Sequence, residues 1–99
     1  MSATATVGEA RTREQLAPRH RVLLHKDERA PVGYVAYVLQ EVFKFDEQAA
    51  ETLYREAKFL GVALVAVLPV EVAELRYEQT RSIALTAKLP CPFSVEPEW

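Results

Sequence analysis

The chain of 99 residues contains one cysteine, three glycines, two histidines, one methionine and one tryptophan. Each scarcity removes a class of function. With Cys91 alone, no disulfide can form within the chain, and a reducing compartment, the cytosol, is expected. Gly8, Gly33 and Gly61 lie far apart in the sequence, so no glycine-rich loop cradles a phosphate. His20 and His25 stand five residues apart on what reads as one strand. An odd separation sends them to opposite faces, so they cannot share a metal, and both are expected at an edge or on the surface. Cys91 sits between two prolines with no histidine near it in sequence, which fits a packed thiol better than a nucleophile. Asp27 and Glu28 are neighbouring carboxylates of a turn, where side chains diverge into solvent. No apolar run reaches the roughly 18 residues of a membrane span. The opening "MSATATVGEARTREQ" lacks the apolar stretch of a secretory leader, so none is expected. Nucleophile, metal cluster and cofactor loop are all missing, and a non-enzymatic protein without a cofactor is expected.

What is present describes one ordinary globular domain, with 49% hydrophobic and 26% charged residues. A chain of this length buries roughly 60–65% of its unfolded surface, enough for a single core. Residues 1–29 carry six Arg and Lys against four Asp and Glu, and residues 30–99 carry six against ten, giving the net charge of −2. Such a balance does not provide the concentrated basic face of a nucleic-acid binder. The basic front end reads as a solvated tail.

Residues 1–17 are rich in Ala, Thr, Glu and Arg without apolar periodicity and are expected to form a flexible tail, with the folded domain over 18–99. "RHRVLLH" reads as a strand. Pro31 suits the first turn of a helix, since its missing N–H would go unpaired there. Val35, Val38, Leu39, Val42 and Phe43 then form one apolar stripe. Asp46 suits an N-cap, and the second helix follows with Ala49, Leu53, Ala57 and Leu60 inward and Gly61 as its C-cap. "VALVAVL" (62–68) is a continuous apolar run of strand length and is expected to be the central strand. Pro69 opens a third helix running to about Ala87, with Ala73, Tyr77, Thr80 and Ala84 inward and Glu71, Glu74, Glu78 and Arg81 outward. A short strand over Phe93 to Glu96 closes the order β-α-α-β-α-β.

The junction "HKDERAP" carries four consecutive charges, Lys26, Asp27, Glu28 and Arg29, where a plain turn needs one or two polar residues. Here "RVLLHKDERAP" resembles the "KVxLxNDDxTP" of the ClpS adaptors, which deliver substrates to the Clp chaperone–protease. "YVLQEVF" resembles their "VLQxFF", "VEVAELR" their "xEVAExK", and "KLPCPFSVEP" their closing "HPLxCxxE". The resemblance covers about residues 17–96. It implies an α+β single domain with a three-stranded sheet packed against three helices, similar to the C-terminal domain of ribosomal protein L7/L12.

The resemblance also implies roles. In the family an Asn and two acids of the turn, with a His of the second helix, hold the free α-amino group of a substrate. The Asn position holds Lys26, the acids are Asp27 and Glu28, and the His position holds Lys58. An ammonium about 4 Å from a lysine ammonium loses roughly 4 kcal/mol at an effective dielectric near 20. That is half of a micromolar affinity of about −8 kcal/mol. Recognition of the amino terminus is therefore expected to be altered or lost, and Lys58 is expected to pair with Asp27 or Glu28 and plug the site from within. The positions lining or gating the family's side-chain pocket hold Val32, Tyr54, Ala57 and Cys91. Val32 replaces a gating methionine, and Tyr54 is larger than the usual methionine. On the third helix, Glu71, Glu74 and Arg76 match the family's docking residues for the N-terminal domain of ClpA or ClpC.

The reading that results is a monomeric, cytoplasmic ClpS-like adaptor or modulator. It binds a Clp chaperone and, if its pocket still works, substrate N-terminal peptides; it binds neither nucleic acid nor membrane. The alternative is an L7/L12-like structural or interaction domain outside proteolysis.

Overall fold

A computed structural model describes residues 18–98; the tail expected over 1–17 lies outside them. The order is β1 (Arg19–His25), α1 (Val32–Glu41), α2 (Glu47–Leu60), β2 (Val62–Pro69), α3 (Val70–Ala87) and β3 (Phe93–Pro97). The strands form one antiparallel sheet in the order β2-β1-β3.

The central strand is thus β1, and β2 lies at an edge, which corrects the expectation from its apolar run. The reason lies in the pairing. Val22 opposes Ala66 but Leu23 opposes Leu64, so Val65 has no partner and the strand bulges there. The extra residue shifts the alternation: Ala63 and Val65 are buried, and beyond the bulge Ala66 and Leu68 pack on the core. Val62 and Leu64 are left on the open face. Two phases of inward residues on one strand look, in sequence, like a strand buried on both sides.

The core joins Val22 and Leu24 of β1 with Val35, Val38 and Leu39 of α1, Ala50 and Ala57 of α2, Ala73 of α3 and Phe93 of β3. Phe43 stacks on Phe93 with ring centroids 5.9 Å apart. The apolar stripe of α1 is therefore inward as expected. On α2 the inward set differs, because Ala50 is fully buried, Ala49 only partly, and Leu60 is 74% exposed beside the exposed Phe59. On α3 the buried positions are Ala73, Thr80 and Ala84. Thr80 satisfies its hydroxyl by donating to the Arg76 carbonyl at 2.9 Å.

Helix ends follow local chemistry. Asp46 caps α2 by accepting from the Ala49 amide at 2.8 Å. Gly61 ends α2 in the left-handed conformation, φ 92°, with its amide donating to the Ala57 carbonyl. Pro31 and Pro69 stand at the N-cap positions of α1 and α3, one residue earlier than the first turn, because both hold extended ψ values of 147° and 146°. Arg19 and Arg21 belong to β1 and pair across β3 with Glu98 and Glu96, each at 2.8 Å. Part of the basic front end is therefore strand surface rather than tail. Such exposed pairs contribute about 0–1 kcal/mol each.

Replacing Gly61 by Ala meets no atom within 4 Å, so only the backbone conformation resists it. Gly61→Ala is expected to lower unfolding free energy by about 1–2 kcal/mol, and Asp46→Ala by about 1 kcal/mol. Urea denaturation of the two variants checks both values, and an unchanged midpoint for either contradicts the cap it removes.

Candidate functional site

Three chain segments that are distant in sequence meet at the end of β1. The His25 amide donates to the Pro92 carbonyl at 2.8 Å, and the Lys26 amide donates to the Gly61 carbonyl at 2.9 Å. The β1–α1 turn is thereby fastened to the end of α2 on one side and to the approach to β3 on the other. Tyr34 strengthens the second attachment, its hydroxyl donating to the Pro90 carbonyl at 3.0 Å. Burial pushes the Tyr34 hydroxyl above its ordinary pKa, with a smaller contribution from Cys91, so it remains a neutral donor.

Between these segments lies a pocket of about 100 Å³. Leu24, Ala30, Val35 and Ala57 give it an apolar interior, with Tyr54 and Pro92 beside them. Its polar residues are His25, Lys26, Asp27, Glu28 and Lys58. The four residues expected at the amino-group site, Lys26, Asp27, Glu28 and Lys58, are thus gathered round one cavity. Of the expected side-chain pocket, Tyr54 and Ala57 line it. Val32 instead faces a separate shallow hollow that Tyr54 and Lys58 also border. Cys91 lines neither; it packs on the core, its thiol 3.8 Å from the Phe93 carbonyl. His25 was missed as a site residue. It stands exposed at the end of the central strand, on the surface as expected, with Nε2 2.6 Å from Ser94 Oγ.

The carboxylate of Asp27 is already engaged. Its Oδ1 accepts from the Arg29 amide at 2.9 Å and from Arg29 Nε at 3.1 Å, while Oδ2 accepts from Arg29 Nη2 at 3.1 Å. The Asp27 carbonyl also accepts from the Ala30 amide at 3.0 Å, closing a four-residue turn. Asp27 is therefore the organiser of the turn. The expected plug is not formed: Arg29, not Lys58, takes the Asp27 carboxylate, and Lys58 makes no ion pair among the described residues. The cause is proximity along the chain, since a residue two positions on closes an Asx-type turn with little loss of freedom. The side-chain hydrogen bonds of Arg29, and after them its amide, hold the Asp27 carboxyl below its ordinary 3.8, and the Arg29 guanidinium is correspondingly raised.

Among the described residues no group of three His, Cys, Asp or Glu could hold a metal ion, and no helix is long and apolar enough to cross a membrane. On α3, Glu71 and Glu74 are exposed on one face, joined by Glu78 and by Leu75, which is 54% exposed and had no part in the sequence reading. Arg76, two residues beyond Glu74, stands about 200° round the helix and is half-buried. Glu74 and Arg76 thus lie on opposite flanks of Leu75, each about 100° from it.

The family model described as ATP-dependent Clp protease adaptor protein ClpS matches residues 15–94. The chain belongs to the ClpS family. The ClpS adapter of Synechococcus elongatus is 37% identical over 91 residues, covering 91% of this chain and 90% of its own length. ClpS 2 of Rhizobium meliloti is 32% identical over 79 residues, covering 80% and 78%. The solved structure of Agrobacterium tumefaciens ClpS2 bound to L-phenylalaninamide superposes with a TM-score of 0.77 at 28% identity, covering 82% of this chain and 98% of that one. The expected fold is that of the family, and the chain is an adaptor of the Clp protease system rather than an interaction domain outside proteolysis.

The depressed Asp27 pKa carries a sign. Whatever the charged turn contributes to stability is present above pH 3.8 and is lost as pH falls through the lower folded value. In an NMR titration the Asp27 carboxyl is expected to have its midpoint below 3.8, and Arg29→Ala is expected to move that midpoint upward. The same midpoint in both proteins contradicts the pairing.

Proposed function

We propose that this ClpS-family adaptor acts in the cytoplasm as a monomer, docks on the N-terminal domain of a Clp AAA+ chaperone of the ClpA or ClpC kind, and no longer receives a free amino terminus in the family's manner. The observation that carries the docking half is the outer face of α3. Glu71, Glu78 and Glu74 line one flank of the exposed Leu75, an apolar residue beside an acidic edge. A desolvated apolar contact supplies affinity in such an arrangement, and the rim charges supply association rate and partner choice. Arg76 borders Leu75 from the opposite flank, as far round the helix from it as Glu74.

Three groups support the altered recognition. Lys26 and Lys58 border the pocket where a positive terminus would have to be seated, and Asp27, one of two acids able to attract it, is neutralised by Arg29. Glu28 alone remains uncommitted. A lysine ammonium donates only, so it offers a second ammonium no acceptor.

Calorimetry against purified N-terminal domains of ClpA and ClpC tests the docking. At least one is expected to bind with a Kd in the micromolar range. Leu75→Asp and Glu74→Lys are each expected to weaken that binding about tenfold or more, without change in the thermal midpoint of the free protein. Absence of binding to either domain, or variants that bind as well as the parent, contradicts the proposal.

A further inference from the structure

We propose that the pocket at the end of β1 binds the free α-carboxylate of a peptide that ends in an aliphatic residue. This rests on the adaptor reading and names the class of substrate its pocket would take.

Charge points first. Around the mouth, Lys26 and Lys58 make no ion pair among the described residues, while the Asp27 carboxylate is held on both oxygens by Arg29. Two lysines and one uncommitted carboxylate, that of Glu28, therefore border the pocket, and the charge around it is net positive.

The interior narrows the ligand. Leu24, Ala30, Val35 and Ala57 bring only carbon to it, and its volume of about 100 Å³ is below the roughly 150 Å³ of a cavity that holds benzene. That suits the side chain of Val, Leu or Ile better than an aromatic ring. A bare phosphate would satisfy the lysines and leave the apolar interior empty. In a C-terminal residue the carboxylate and the side chain leave the same Cα, so a single residue meets both halves of the site. An N-terminal residue has the same shape with the opposite sign of charge.

The test uses the full chain and fluorescence anisotropy with three labelled peptides: one ending in leucine with a free carboxylate, the same peptide as its C-terminal amide, and a leucine-headed peptide with a free amine and an amidated end. The acid is expected to bind about tenfold or more tighter than its amide, with the difference shrinking as salt is raised. Lys26→Gln and Lys58→Gln are each expected to reduce that preference several-fold, and Lys58→Arg to retain most of it. Equal affinity for acid and amide, tighter binding of the amine-headed peptide, or binding of none of the three overturns the proposal. Docking on the Clp N-terminal domain is measured on the same preparations. Intact docking with failed peptides removes the carboxylate proposal alone, whereas peptide preference without docking supports it and removes the N-terminal-domain docking proposal instead.

Discussion

Two backbone hydrogen bonds, His25 amide to Pro92 carbonyl and Lys26 amide to Gly61 carbonyl, hold the functional end of this protein together. Neither involves a side chain, so they fix where the turn sits without restricting which residues occupy it. That independence explains how the charged groups of the turn can change while the pocket beneath them keeps its walls. It also gives Gly61 a second task. Its left-handed conformation ends α2 and turns the carbonyl that receives Lys26.

Given that frame, the proposed selectivity of the mouth rests on the identity of three or four side chains. Arg29 is the decisive one. By folding back on Asp27 it converts an acid that would draw a cation into a neutral pair and keeps the turn closed at the same time. Lys26 and Lys58 then act without a compensating partner. Coulomb energies here are moderated by solvent, because the lysines are exposed, but they all have one sign. Along α3, three exposed glutamates line one flank of Leu75.

Much of the fold was legible because periodicity reports burial. The stripe of α1 and the cap at Asp46 depend on residues close in sequence, and the structure has them as expected. β2 was misplaced because a bulge at Val65 puts apolar residues on both sides of an edge strand, a pattern that a central strand also produces. Leu60 was read as inward because its spacing fits the stripe of α2, yet it lies at the last turn, beyond the reach of the core. At the site, the structure brings Lys26, Asp27, Glu28 and Lys58, which family positions had grouped, round one cavity. The Asp27–Arg29 pairing was missed although its i, i+2 spacing is a turn signal that could have revealed it. His25 and Pro92 could not be found by spacing, since their place in the pocket arises from contacts across the sheet.

The central claim is that the mouth of the pocket disfavours a positive terminus. Titration calorimetry with L-leucinamide, which has a free amine, no carboxylate and an aliphatic side chain of the size the interior suits, measures this most directly. The account predicts no saturation at millimolar ligand. A saturable micromolar isotherm at one site would contradict it.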